Sequence, residues 1–144
     1  MDQFYSDIDG MGPSVVHLFG NGGTAGSVKL KIGGRKLLIT FTGEPPGHLL
    51  LDLFQDALAR ELLSPGMQTL VDMTQFIGVV DWQALTKLRG LASWETDTAP
   101  PPRTAYLLRE NGAALLVKAA AALFPASEHQ IFAERAAAIA WLES

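Results

Sequence analysis

The hydrophobic pattern of this chain changes its period once, and this change restricts the folds that the chain can adopt. Residues Val28–Ile32 alternate between apolar side chains and two lysines, and residues 36–42 alternate in the same way. Strict alternation is typical of half-buried strands, and Gly33-Gly34 between them is a signal for a tight turn. With the apolar segment Val15–Phe19, the chain is predicted to begin with a β-hairpin or a three-strand meander.

After Pro45-Pro46, the apolar residues recur at the spacing of an amphipathic helix, and short apolar segments separate the later helices. Helices are predicted over 50–62, 82–94, 113–124 and 134–142, and strands over 69–73, 104–108 and 129–132. Strands that alternate with helices indicate parallel crossovers. The prediction is one α/β domain with a mixed sheet, over residues 27–144. Residues 1–26 are predicted to form an N-terminal extension that includes an extra edge strand.

Composition and charge exclude several classes of function. The chain has 144 residues, a formal net charge of −4 and no cysteine. An acidic chain has no general attraction for nucleic acid, and without cysteine there is no thiol chemistry, Cys-ligated zinc or disulfide. The N-terminus is acidic, and the longest apolar run, 113–124, is too short to span a membrane. We therefore expect a cytoplasmic protein that binds no nucleic acid and has no membrane span.

No motif in the sequence indicates a metal or a cofactor. His17, His48 and His129 lie on different predicted elements, without the spacing of a metal site. The glycine-rich stretch 20–25 leads into a strand, whereas a dinucleotide-binding loop must begin a helix. No metal and no cofactor are therefore predicted.

The most interesting carboxylate is Asp72, near the carboxyl end of a predicted central strand, where open α/β sheets usually bind ligands. Thr74 and Asp81 flank the same crossing from strand to helix, and Phe76 and Trp82 add apolar surface there. These five residues are the candidate ligand-binding site. The alternative is structural, with Asp72 accepting hydrogen bonds from loop amides and Asp81 capping a helix.

The alanine-rich helix 113–124 is apolar on almost its whole circumference, and Lys118 alone interrupts that surface. Such a helix is covered by neighbouring elements, forms a subunit contact or lines a pocket. A homodimer is favoured over a pocket, since symmetric dimers are the commonest oligomers. The candidate interface residues are Leu115, Leu116, Ala119 and Leu123.

Three segments resemble one known family. Residues 70–78, LVDMTQFIG, resemble a strand-end pattern of the SpoIIAA-like (STAS-like) family of uncharacterised bacterial proteins. Residues 81–85 resemble the start of the following helix in that family, and residues 130–142 resemble its closing strand and helix. The resemblance implies a SpoIIAA-like fold. STAS anti-sigma-factor antagonists carry a phosphorylated serine after the aspartate that Asp81 matches. Trp82 stands at that position, and an indole cannot accept a phosphate, so the phosphorylation switch is not implied.

Together these observations predict a non-enzymatic protein-interaction or regulatory module that forms a homodimer. The alternative is a binder of a small hydrophobic ligand or lipid at the carboxyl ends of the strands. A weaker alternative is a hydrolase or lyase that uses Asp72 and Asp81.

Overall fold

The computed structural model describes residues 15–33, 35–64, 66–77, 82–91, 101–109 and 114–144, with the side chains of residues 15 and 114–116 outside that description. The elements follow in the order β1 (Val15–Asn21), β2 (Gly26–Gly33), β3 (Lys36–Gly43), α1 (Gly47–Ala59), β4 (Gln68–Phe76), α2 (Trp82–Leu91), β5 (Arg103–Leu107), α3 (Ala114–Leu123), β6 (Glu128–Phe132) and α4 (Arg135–Leu142). No helix within these ranges is long and apolar enough to cross a bilayer.

The six strands form one sheet in their chain order, β1 to β6. The first three strands are antiparallel neighbours, and β3, β4, β5 and β6 run parallel to one another. The mixed sheet that the hydrophobic periods predict is confirmed, and its beginning is the three-strand meander. Its first strand, β1, lies within the stretch predicted as an N-terminal extension and pairs with β2 along its whole length.

The handedness of the crossovers determines which face each helix covers. The connections from β3 to β6 all step in the same direction across the sheet, and right-handed crossovers then leave their helices on one face. Leu53 of α1, Leu88 of α2 and Val117 of α3 accordingly share one hydrophobic cluster. The last helix, α4, packs on the opposite face, where Ile139 joins Leu70 and other apolar residues in a second cluster. We call these the three-helix face and the α4 face.

The glycine-rich stretch between β1 and β2 forms a tight turn. The Gly22 N–H donates to the Gly26 carbonyl over 2.8 Å, and the Gly23 N–H donates to the Asn21 side chain over 2.9 Å. A Cβ at Gly26 would lie 2.2 Å from the Thr42 carbonyl oxygen, so only glycine fits there. The close approach of the turn to β3 thus accounts for this glycine.

One irregularity in β4 changes which face its later residues occupy. Thr40 pairs with Asp72, but Thr42 pairs with Gln75, so Met73 and Thr74 together lie opposite a single residue of β3. This extra residue is a β-bulge, which reverses the alternation of side chains beyond it. Phe76 therefore lies on the three-helix face, although strict alternation would place it on the same face as Asp72 and Thr74.

Candidate ligand-binding cavity

A cavity of about 180 Å³ lies between the three-helix face of the sheet and helices α1, α2 and α3. The strands form its floor, and the helices contribute apolar side chains to its walls, among them Phe54 of α1, Leu85 of α2 and Ala120 of α3. The space is partly open to solvent, and the described side chains that line it are mainly apolar.

One end of the cavity, toward the carboxyl end of β4, is entirely apolar among the residues that the structure places there. Phe41 and Phe76 meet edge to face, with ring centroids 5.8 Å apart and planes at 64°. Pro46 before α1 and Leu50 within it complete this end. The β-bulge in β4 is what turns Phe76 toward these residues.

The opposite end of the cavity contains a row of polar side chains. Thr69 is the register partner of Thr104, and Thr104 is the register partner of His129. Each is the second residue of its strand, and all three line the cavity. Because parallel strands share one direction, these second positions form a line across β4, β5 and β6. We call Thr69, Thr104 and His129 the polar row.

His129 is held at both ring nitrogens. Its Nε2 lies 2.8 Å from the Phe124 carbonyl oxygen, which can only accept, so Nε2 carries a hydrogen and donates it. In the neutral ring, Nδ1 then accepts the hydrogen of the Tyr106 hydroxyl over 2.9 Å. The two rings also stack, with centroids 5.8 Å apart. Tyr106 and His129 are thereby fixed beside the two threonines.

The two threonines of the polar row differ from His129 in their hydrogen bonding. Within the part of the chain that the structure describes, neither the Thr69 nor the Thr104 hydroxyl hydrogen-bonds to a protein atom. Both side chains are partly buried. Of the described residues that line the cavity, Tyr106 and His129 are the only ones with an ionisable group. This end therefore offers hydrogen-bonding groups, and no aspartate, glutamate, lysine or arginine is among its described residues.

The structure describes four of the five residues of the sequence-predicted site, and it brings two of them, Asp72 and Thr74, together. Asp72 and Thr74 lie on the α4 face, where Asp72 Oδ1 accepts from the Thr74 N–H over 3.0 Å and from the Thr74 hydroxyl over 2.7 Å. Asp72 Oδ2 lies 4.0 Å from Arg135 Nη1 of α4. Phe76 lies on the other face, in the cavity. The sheet therefore separates Phe76 from the two polar residues with which it was grouped.

Trp82, the first residue of α2, is 45% exposed and does not line the cavity. Asp81 lies outside the described residues. Of the predicted ligand-binding residues, Phe76 alone lines the cavity among those that the structure describes.

The structure accounts for part of the apolar surface of α3 by packing within the chain. Val117 and Ala120 are buried in the three-helix core, and Ala119 and Leu123 are partly buried. The side chains of Leu115 and Leu116 lie outside the described residues, so the interface that these four residues were predicted to form stays a prediction.

The polar row was missed by the sequence analysis, although a signal for it exists. The segments Gln68-Thr69, Arg103-Thr104 and Glu128-His129 each place a second polar residue at the start of a strand that is otherwise largely apolar. Alignment of the parallel strands by their first residues would have brought these three positions together. In the described ranges, no three histidine, aspartate or glutamate side chains gather as a metal site would require.

Comparison with known proteins gives one informative match. No protein-family model matches the chain, and no curated protein sequence matches it. Among solved structures, the fold is similar to that of an uncharacterised protein of the DUF3478 family, with a SpoIIAA-like fold, from Shewanella loihica PV-4. The TM-score is 0.57 at 18% sequence identity, over 88% of this chain and 95% of that one. The resemblance seen in the sequence is thus confirmed at the level of the fold, and the chain has a SpoIIAA-like fold.

Proposed function

We propose that this protein binds a small apolar molecule in the cavity between the sheet and helices α1–α3. The observation that carries the proposal is the cavity itself, about 180 Å³ of space lined mainly by apolar side chains. A ligand that fills the space recovers dispersion contacts and removes its own apolar surface from water.

The volume restricts the size of the ligand. An apolar cavity of about 150 Å³ holds a benzene-sized molecule, so this cavity suits a ligand of about six to ten non-hydrogen atoms. That range favours a single ring or a short chain over a whole lipid. The carboxyl-terminal end of the cavity, with Phe41 and Phe76, offers aromatic surface for such a group.

A cavity-filling substitution tests the proposal. Ala120 lines the cavity from α3, and Ala120→Leu would add three carbon atoms to that wall. The matched control is Ala122→Leu, because Ala122 lies on the same helix and is exposed. The probe is propylbenzene, titrated into 15N-labelled protein and followed by amide chemical shifts.

We expect saturable shifts around the cavity in the unsubstituted protein and in Ala122→Leu. Binding to Ala120→Leu should be at least about tenfold weaker, since the added side chain and the probe would occupy the same space. Circular dichroism checks that both variants are folded. Equal binding by all three proteins, or no saturable binding by any of them, would overturn the proposal.

The hydrolase or lyase alternative gains no support from Asp72. Its Oδ1 accepts two hydrogen bonds from Thr74, and its Oδ2 lies 4.0 Å from Arg135 Nη1. The cavity, by contrast, lies on the other face of the sheet from this carboxylate.

A specific observation favours a second candidate function, self-association as part of an interaction or regulatory module. Ile77 at the end of β4 is 81% exposed, and Trp82 at the start of α2 is 45% exposed. We propose that these two side chains form one contact patch, since contiguous exposed apolar groups mark interaction surfaces. A homodimer through this surface should weaken in Ile77→Ser and persist in Ile131→Ser, whose parent residue is on β6. Sedimentation velocity over a range of concentrations measures this, and a monomer throughout would contradict it.

A further inference from the structure

The polar row contrasts with the usual composition of a parallel sheet. Strands buried by crossover helices are normally continuous apolar runs on the covered face. In β4, β5 and β6, the next cavity-side row follows that rule more closely, with Val71, Tyr106 and Ile131 in register. The row of Thr69, Thr104 and His129 does not. Three polar residues in register on three consecutive strands mark one end of the cavity as chemically different from the other.

At the polar end of the cavity, some hydrogen-bonding groups are already paired with one another and others are available to a ligand. Tyr106, His129 and the Phe124 carbonyl satisfy one another. The Thr69 and Thr104 hydroxyls each contribute a donor and two acceptor lone pairs, and no bond to another described residue uses them. Partly buried polar groups are normally hydrogen-bonded to protein or to water, and no described residue occupies these two hydroxyls, so they are available to a ligand in the cavity.

We infer that the ligand carries one uncharged polar group, such as a hydroxyl, ketone or amide, which binds to Thr69 and Thr104. Its apolar part extends along β4 toward Phe41 and Phe76. This inference rests on the proposed function and adds the chemical class of the ligand and its orientation.

We infer that the polar group of the ligand is uncharged because of the residues that line the cavity. The described lining residues include no aspartate, glutamate, lysine or arginine. A carboxylate or ammonium group would lose its hydration there with no aspartate, glutamate, lysine or arginine beside it as a counter-charge, whereas a neutral group exchanges one hydrogen bond for another. The orientation places the polar group at the amino ends of the strands, opposite to the end at which open α/β sheets usually bind ligands.

Three probes of similar size test separately whether the ligand needs a polar group and whether that group is uncharged. 2-Phenylethanol carries a hydroxyl, propylbenzene replaces that hydroxyl with a methyl group, and phenylacetate carries a charge. Each is titrated into the unsubstituted protein, Thr69→Val, Thr104→Val and the control Thr42→Val. Valine has almost the shape of threonine without its hydroxyl, and Thr42 is an exposed residue of β3.

We expect Thr104→Val and Thr69→Val each to weaken 2-phenylethanol binding by about three- to tenfold, the effect of one lost hydrogen bond. Propylbenzene binding should change by less than about twofold in the same variants. Thr42→Val should leave both affinities unchanged. In the complex with 2-phenylethanol, nuclear Overhauser contacts should join the hydroxymethylene protons to the Thr104 methyl group and the phenyl protons to Phe76.

The possible failures are distinguishable. If propylbenzene binds but both valine variants leave the affinity for 2-phenylethanol unchanged, the inference about the polar group is wrong and the proposed function stands. Tighter binding of phenylacetate than of 2-phenylethanol would overturn the uncharged character of the group. If none of the three probes binds, the proposed function itself fails.

Discussion

Each face of β4 carries a threonine, and the two threonines differ in whether another described residue hydrogen-bonds to the hydroxyl. On the α4 face, the Thr74 hydroxyl donates to Asp72 Oδ1 over 2.7 Å. On the three-helix face of the same strand, the Thr69 hydroxyl has no hydrogen bond to another residue of the described chain. The comparison shows that the type of a polar residue says little about its function. What distinguishes a structural group from an available one is whether the chain already satisfies its hydrogen bonds.

The two faces are nevertheless connected through the bulge in β4. A bulge interrupts the ladder of the sheet, and the Thr74 N–H at this position donates to Asp72 Oδ1 over 3.0 Å. The same bulge rotates Phe76 onto the cavity side. We therefore propose that Asp72 holds the bulge and, through the bulge, shapes the apolar end of the cavity.

The largest loss of stability is expected on substitution of Arg103, which lies on the α4 face, where the polar side chains are hydrogen-bonded within the chain. Its guanidinium donates to the Trp141 carbonyl over 2.6 Å and to Glu128 Oε1 over 3.2 Å, and it lies 5.1 Å from the centroid of the Trp141 ring. Arg103→Ala removes a charged donor from the last turn of α4, so it should lower the free energy of unfolding by about 2–3 kcal/mol.

Urea denaturation measures this loss, and Arg60→Ala is the matched control. Arg60 pairs with Asp56 one turn away on the exposed side of α1 at 3.5 Å. Its removal should change the free energy of unfolding by less than about 0.5 kcal/mol. Similar losses in the two variants would show that Arg103 is no more important than a surface ion pair.

An intermediate effect is expected at Asp72. Asp72→Ala leaves the Thr74 N–H without its acceptor, so we expect a loss of about 1–2 kcal/mol in the free energy of unfolding. Asp72→Asn keeps an oxygen in place and should lose less. Because the bulge orients Phe76, Asp72→Ala should also weaken the binding of propylbenzene, whereas Asp72→Asn should preserve it. A variant Asp72→Ala with unchanged stability and binding would separate this carboxylate from both the bulge and the cavity.

The sequence predicts the fold well because the fold depends on local signals. Alternation around Val28–Ile32, the breaks at Pro45-Pro46 and the helical spacing that follows are readable from neighbouring residues, and the elements found agree with them. The candidate site depends on non-local relations. The row of Thr69, Thr104 and His129 exists only through the register of three strands, and the position of Phe76 depends on a bulge that the alternation rule does not contain.

The smallest effect is also the sharpest test, because the two sides of β4 should respond with opposite signs. Thr74→Val removes a satisfied hydroxyl and should lower the free energy of unfolding by about 1 kcal/mol. Thr69→Val replaces a hydroxyl that no described residue hydrogen-bonds with a methyl group, and without ligand it should raise the same quantity by up to about 1 kcal/mol. Both are measured by urea denaturation in the absence of added ligand. Saturating 2-phenylethanol should then stabilise the unsubstituted protein more than Thr69→Val, since the hydroxyl gains its partner from the ligand. A loss of stability in Thr69→Val without ligand would mean that the chain itself satisfies this hydroxyl, and the distinction between the two faces would not hold.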